Sequence, residues 1–578
     1  MNLLDWIILI ATLLAIILYG IYRGRGNKNI DSYLLADKQL PWYHVGLSVM
    51  ATQASAITFL STPGLAYNKG MGFVQFYFGL PLAMIVLCVT FIPIFQRLNV
   101  YTAYEYLEQR FDLKTRTLTA LLFLIQRGLS TGISIYAPAI ILSTILHLDI
   151  SLTTLLMGSL VIIYTVYGGT KAVSYTQVLQ MGIILMGMLV AGVMVVRLMP
   201  AEIGLADALH LAGSMNKTQV LDFNFDPKNQ YNVWSGLVGG FFLQLSYFGT
   251  DQSQVGRYLT GKNSTESRLG LLMNGIVKIP MQFLILLLGV LVFSFYQYTQ
   301  PPIFFNEVEL ENIRKSEYRA DFQKIEIQYQ QLFNYKKQII QAEYNSRKVS
   351  QKVLEIPKAY NDNNLKIFTK PELKQQLLAN QKILDSLRKE ATTLIKKNNP
   401  KADDKDYIFL NFVMHYLPHG LVGLLIAIIF LASMGSLAAG LNSLGSSSVI
   451  DLYKRLWHSV GSDAHFLSAS RWLTIAWGLF CMLVALFASE VGNLIEAVNI
   501  LGSWFYGTIL GVFIVAFYVK YIKADAVFWA AILAEIFLML IDYYTDIAYL
   551  WFNPIGCALV VIFGLMIQTV VGKKETSI

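Results

Sequence analysis

Three stretches of small and hydroxyl residues interrupt otherwise apolar runs, and they are where this chain has the means to do chemistry. The first is Met50-Ala51-Thr52-Gln53-Ala54-Ser55-Ala56-Ile57-Thr58. Within lipid, a helix break is tolerated only where the freed backbone lines a cavity or an ion site. Such a run lets a helix unwind and offer carbonyl oxygens to a cation, although a small-residue packing face has the same composition. The second is Gly239-Gly240 followed by Gln244, Ser246 and Tyr247, where paired glycines weaken a helix and three polar side chains follow within two turns. The third runs from Ala432-Ser433-Met434-Gly435-Ser436 to Asn442-Ser443. Alone it reads as packing; beside the other two it reads as part of a site. Lys278 is the clearest ionisable residue deep in an apolar run, and such residues are costly and usually functional. Arg127 and Glu496 are weaker cases, since long side chains near helix ends reach the interface. Cys88, Cys481 and Cys557 all lie in apolar runs and the seven histidines are scattered, so neither a disulfide framework nor a metal centre is implied.

The elements that position these residues are membrane helices. Of 578 residues 55% are hydrophobic and 14% charged, where a soluble chain carries roughly a quarter charged. Mean hydropathy is +0.50. Apolar runs of about 20 residues, the length that spans a bilayer, are expected at 3–22, 44–66, 72–97, 114–146, 151–168, 174–198, 232–256, 269–297, 407–450, 466–488, 492–520, 526–541 and 547–571. That makes about thirteen crossings. Residues 3–22 lack the basic leader and small-residue cleavage site of a signal peptide, so they are read as the first crossing. The second interruption stands five helices after the first, the spacing of an inverted five-helix repeat in which each half opens with a broken helix.

The net charge of +8 reflects loop bias rather than an affinity for nucleic acid. Basic residues follow the odd-numbered helices: Arg23, Arg25 and Lys28; Arg97, Arg110, Lys114 and Arg116; Lys171; Arg257, Lys262 and Arg268; Lys454 and Arg455; Lys520 and Lys523; Lys573 and Lys574. The positive-inside rule places these loops and the C-terminus in the cytoplasm and the N-terminus outside. Residues 298–406 are the exception, charged and rich in Gln, Lys, Glu and Asn. A helix is expected from Glu309 to about Val353, with Phe322, Ile325, Tyr329, Phe333 and Ile340 at helical steps. Pro357 and Asn361–Asn364 break it, and a second helix follows from about Pro371 to Lys397. The result is an extracytoplasmic helical hairpin, either an arm for an extracytoplasmic partner or a tolerated insertion. The domains are thus 1–297 with helices 1–8 (repeat one about 44–198, repeat two from about 232), 298–406, and 407–578 with helices 9–13.

At these residues the chain resembles the sodium:solute symporter family. The resemblance rests on IDSYLLADKQLPWYHVGLS, TAYEYLEQRF, IYAPAIIL, YGGTKAVSYTQVLQ, YFGTDQSQVGRYLTGK and SLAAGLNSLGSSSVIDLYKR, in register over most of the chain outside the hairpin. It implies an all-α LeuT-type fold of inverted five-helix repeats with extra helices at both ends. It also implies a sodium site from the carbonyls of Ala51, Ala54 and Ala432 and the hydroxyl of Ser436. Gln244, Tyr247 and Lys278 fall where a sugar-transporting relative binds and gates its substrate, and Thr58 and Asn499 complete the substrate set. Two positions depart from the family: Gly435 precedes Ser436 where a second hydroxyl is usual, and Gln177 stands where an aspartate is usual. One cation ligand and one negative charge are therefore missing together.

The expectation is a multi-pass plasma-membrane protein, in a bacterial inner membrane. It would carry a small solute, a sugar or small organic anion, with sodium by alternating access. Its partners would be the solute, sodium and the bilayer, with no prosthetic group. Gly435 and Gln177 motivate a proton-coupled or uncoupled alternative, for which Asp251 and Glu496 are the nearby carboxylates. A membrane sensor signalling through the hairpin is the alternative of another class. No His/Asp/Glu cluster converges at one depth, so an enzyme is not expected.

Overall fold

The computed structural model describes residues 1–24, 38–98, 100–348, 354–357, 365–458, 460–488 and 492–575. Arg25, Lys28, Val353 and Asn361–Asn364 lie outside them. The first half contains α1 (Leu3–Gly24), α2 (Trp42–Gln53), α3 (Ala56–Lys69), a 3-10 turn Met71–Tyr77, α4 (Leu80–Val89), α5 (Phe91–Leu98), α6 (Glu105–Arg110), α7 (Leu113–Leu146), α8 (Ile150–Arg197) and α9 (Leu205–Ser214). A π turn, Ser235–Gly239, leads into α10 (Gly240–Thr250), α11 (Gln252–Tyr258) and α12 (Ser264–Tyr298). Polar caps set the starts of the long helices. Asp112 accepts from the Thr115 N–H at 2.8 Å, Asn263 from Glu266 at 3.0 Å and Asp149 from Ser151 at 2.8 Å.

After the hairpin come α16 (Ile408–Tyr416), α17 (Leu421–Ser447) with a π extension to Trp457, α18 (Asp463–Ala485), α19 (Leu494–Tyr518), α20 (Ala524–Tyr544) and α21 (Phe552–Glu575). Helix α1 packs on α8 and α17. Its Asp5 is buried and accepts the Gly420 N–H at 2.5 Å, while Gly420 takes φ +88°, a conformation glycine adopts without strain.

Among the described residues, 10 helices can cross a membrane by length and composition, or 11 with the bent pair α2–α3 counted as one span. The expected thirteen is not reached on that measure, for two physical reasons. Ile150–Val166 is shorter than a full span, and the run expected at 232–256 is divided among the π turn, α10 and α11. Helix α8 is assigned continuously, yet the Tyr164 and Thr176 hydroxyls lie 3.4 Å apart. Twelve residues of straight helix would separate them by about 18 Å. The path from Tyr164 to Thr176 is therefore not a straight helix.

The paired glycines at 239–240 do not break the helix. Their bare α-carbons admit close neighbours: a Cβ on Gly239 would stand 2.6 Å from the Leu550 carbonyl, and one on Gly240 2.6 Å from that of Phe76. The break comes instead at Asp251, whose carboxylate caps α11 by accepting the Ser253 N–H at 2.9 Å.

The charged segment folds as α13 (Glu307–Arg314), α14 (Arg319–Lys348), a two-stranded antiparallel ribbon β1 (Leu354–Pro357) and β2 (Leu365–Phe368), and α15 (Lys370–Asn398). The long expected helix is thus two, separated near Ser316, and the ribbon is the one element that helical periodicity did not indicate. Helices α14 and α15 pack together over Phe304, Ile313, Phe322, Ile325, Leu384, Ala391 and Ile395. Lys336 is 3% exposed in this interface, bonded to Gln381, and burial pushes its ammonium down to about 7. A lysine depressed in the folded state contributes its full stability above its ordinary value and loses it as pH falls toward the folded value. Lys336→Met should therefore stabilise the hairpin at pH 6, by on the order of 3 kcal/mol, and gain nothing above about pH 10.5. Hydrogen exchange of α14 and α15 at the two pH values reads the difference; equal gains at both would mean that packing, not charge, is responsible.

Candidate functional site

The site begins at the α2–α3 break, where the two axes bend by 59°. The Ala54 N–H still reaches the Met50 carbonyl at 2.8 Å, but that of Ser55 turns to Gln53 at 3.1 Å and that of Thr58 to Ser55 at 3.0 Å. Among the described residues, the carbonyls of Ala51, Thr52 and Ala54 consequently accept no backbone N–H. Their lone pairs are available to an ion, as the sequence run suggested.

Helix α17, by contrast, is unbroken through 432–443. Its small residues serve packing there: a Cβ on Gly440 would stand 2.7 Å from the Thr131 hydroxyl. The Ser436 hydroxyl donates to the Ser433 carbonyl at 3.1 Å, a short back-bond within the helix.

Gln177 joins the two elements. Its amide nitrogen donates to the Thr52 hydroxyl at 3.2 Å and to the Gly435 carbonyl at 3.3 Å, and its oxygen accepts from Ser48 at 2.7 Å. The residues beside Ala51 and beside Ser436 are therefore held within one side chain of each other. A Cβ on Gly435 would stand 2.8 Å from the Gln180 side-chain oxygen and 3.4 Å from Cγ of Gln177. The close contact is with Gln180, while Gln177 meets Gly435 through its hydrogen bond to the carbonyl.

A cavity of about 110 Å³ opens beside the break. That is room for a few ordered waters or a small solute. Of the expected site residues, Thr58, Tyr247, Asn499 and Ser436 line it. Ala51, Ala54 and Ala432 are buried beside it and do not. Gln244 and Lys278 are fully buried and do not line it either, and neither side chain has a hydrogen-bond partner among the described residues. The Lys278 ammonium stands 5.8 Å from the ring centroid of Tyr77, and Tyr77 is in the cavity wall. An unpaired buried ammonium is a liability. Lys278→Met should therefore raise thermal stability, by about 1–3 kcal/mol. A fall on the same scale would show that the ammonium has a partner in the working protein.

The wall also holds Arg127, a weaker candidate from the sequence, and residues that the sequence did not single out, chiefly Thr131, Ser134 and Tyr506. Arg127 pairs with the fully buried Asp251 and lies 5.5 Å over the Tyr247 ring. Tyr506 donates to the same carboxylate at 3.0 Å, and the Ser253 hydroxyl donates to its other oxygen at 2.6 Å. This ties α7, the α10–α11 break and α19 together at the cavity. Asp251 carried a signal, since Gly249-Thr250-Asp251 before a short helix is an N-cap pattern. Tyr506 carried none.

A model of the sodium:solute symporter family matches residues 33–308 and 391–534, most of the chain. The chain belongs to this family. The human sodium/iodide cotransporter is 34% identical over 282 residues, which are 49% of this chain and 43% of that one. A Xenopus laevis sodium-coupled monocarboxylate transporter is 31% identical over 51% of this chain and 48% of its own length. The matches therefore span less than half of these two relatives. The sodium/sialic acid symporter NanT of Aliivibrio fischeri is 24% identical over 97% of this chain and 92% of its own. A solved structure of a Na+-coupled sialic acid symporter in a substrate-bound outward-open state aligns with a TM-score of 0.73 at 21% identity, covering 98% of both chains. The chain thus has the expected LeuT-type fold, with the hairpin residues 309–390 outside the family match.

Proposed function

We propose that the protein couples inward movement of sodium to uptake of a small solute by alternating access. The observation that carries the reading is the set of unpaired carbonyls at Ala51, Thr52 and Ala54, joined to the Ser436 helix through Gln177. Sodium takes the carbonyls of Ala51, Ala54 and Ala432 and the Ser436 hydroxyl. Carbonyl oxygens replace an ion's hydration shell at little cost when the backbone is already unwound. Membership in a family of transporters, with named sodium-coupled relatives, points the same way.

The solute occupies the cavity against Thr58, Tyr247 and Asn499, with Gln244 and Lys278 reached as the wall at Tyr77 moves. The guanidinium of Arg127 in the wall favours a small organic anion over a neutral sugar. The proton-coupled alternative wants an unengaged carboxylate at this depth. Asp251 is held by Arg127, Tyr506 and Ser253, and Glu496 by Lys69 at 2.7 Å and Tyr231 at 2.9 Å. That engagement weighs toward sodium.

The basic loops support an orientation with the C-terminus in the cytoplasm and residues 298–406 outside, between membrane segments 1–297 and 407–578. The test needs no knowledge of the solute. Thermal unfolding of the purified chain is followed as sodium replaces choline at constant ionic strength. A saturable sodium-specific rise in the midpoint is expected. Identical curves in sodium and choline up to high concentration would remove the sodium site.

A further inference from the structure

A second and larger cavity, about 860 Å³, lies at the hairpin end of the bundle. Its floor is the outer turns of α3 (Leu65, Asn68, Lys69) and the start of α19 (Asn493, Glu496). These are the helices that carry Thr58 and Asn499 in the cavity beneath. Its roof is one face of α15 with the loop that follows. The antechamber thus stands directly outboard of the proposed transport path, along the same two helices.

The charges around it are unequal. Six cationic side chains line it, Lys69, Lys382, Arg388, Lys389, Lys396 and Lys405, against four acids, Asp385, Asp403, Asp404 and Glu496. Three cations are matched: Arg388 with Asp404 at 2.6 Å, Lys69 with Glu496 at 2.7 Å and Lys405 with Asp403 at 3.7 Å. Lys382, Lys389 and Lys396 have no ion-pair partner among the described residues, and the one remaining acid, Asp385, accepts from Gln381 at 2.8 Å. The three lysines recur every seven residues, which is two helical turns, so they form a column on one face with steps of about 10.5 Å. Asp385 sits on the same face between Lys382 and Lys389, so the column is not of one sign, but the cavity as a whole carries six cations against four acids. A concave space with a cationic excess focuses field and concentrates anions. Lys382 and Lys389 belong to the segment outside the family match, so the feature is this chain's own.

We propose that the hairpin makes this antechamber a binding site for small carboxylates, where an anionic solute waits before entering the path. The column of Lys382, Lys389 and Lys396 supplies the charge. Lys69 supplies the handover: its side chain is 52% exposed while that of Glu496 is 15% exposed. A carboxylate arriving at Lys69 competes with Glu496 for the ammonium and loosens the tie between α3 and α19. The inference rests on reading the cavity beneath as the transport path.

The test uses the full chain with a fluorophore on Ser386→Cys, which lines the antechamber. The natural cysteines Cys88, Cys481 and Cys557 are buried. Quenching by a carboxylate-bearing nitroxide is compared with quenching by its neutral hydroxyl counterpart. A reference label at Ile383→Cys, exposed on α15 outside the antechamber, is treated alike. The carboxylate should quench at least about fivefold more efficiently than the neutral probe at position 386 only, and with saturation. The excess should collapse to about unity in Lys382→Gln/Lys389→Gln/Lys396→Gln and fall partway in Lys389→Gln alone. Three results overturn the proposal: no excess at 386, an excess unchanged in the triple variant, or an excess linear in probe concentration, which reports a field and not a site. The readout is local, so its failure leaves sodium binding standing. Loss of the sodium-specific thermal shift would sink symport and leave this result untouched.

Discussion

Ser436→Ala should weaken sodium binding at least about tenfold and remove about half of the sodium-specific thermal stabilisation. A ligand present at a hundred times its dissociation constant stabilises the folded state by about 2.7 kcal/mol. Raising that constant tenfold leaves about 1.4 kcal/mol at the same sodium concentration. The effect is large here because no neighbour can substitute. In this helix the preceding position is Gly435, and the remaining proposed ligands are carbonyls whose positions the backbone fixes. For Gly435→Ser to rescue the variant, the Gln180 oxygen, 2.8 Å from where the new Cβ must stand, has first to swing aside. Pairing it with Gln180→Ala opens that space, and recovery of the sodium shift in this combination is the sharper form of the test. An undiminished shift in Ser436→Ala would place the ion elsewhere.

The break at Ala54–Ser55 was legible because its cause is local: small and hydroxyl residues lower the cost of unwinding, and nothing else in the run needs a helix. The LeuT-type fold followed from long apolar runs and from motifs in register. The helix tally was less legible, since hydropathy counts apolar length while the structure divides 232–258 at Asp251. The glycine pair at 239–240 misled for a related reason. Glycine marks backbone proximity as often as a break, and only the neighbouring chain at Phe76 and Leu550 decides which. The cavity wall was half legible. Tyr247 follows from a motif position and Arg127 was a weak candidate as a charge deep in an apolar run, whereas Tyr506 enters through tertiary contact with Asp251, which no spacing encodes. Residues 298–406 showed their helices by periodicity, but the charge column on α15 acquires meaning only from the concave space beneath it.

Arg127→Met should cost about 3–5 kcal/mol of stability, because it leaves Asp251 as a buried carboxylate with its cation removed. The two hydroxyls and one N–H that remain on Asp251 soften the loss without replacing a full charge. The double variant Arg127→Met/Asp251→Asn should recover most of that stability. An asparagine oxygen can still accept the Ser253 N–H and keep the cap on α11, and no charge is left to desolvate. A double-mutant cycle should then return a coupling on the order of 3 kcal/mol. Uptake should separate from stability. The double variant should fold and retain its sodium shift, since the Ser436 hydroxyl and the free carbonyls are untouched, yet transport should remain at least about a hundredfold down. The cavity would have lost a guanidinium from its wall, and the α7–α10–α19 junction its charge pair. A loss of under about 1 kcal/mol in Arg127→Met would mean that Asp251 is already satisfied by Tyr506 and Ser253. Recovery of transport together with stability would assign Arg127 to holding the break and remove it from solute recognition.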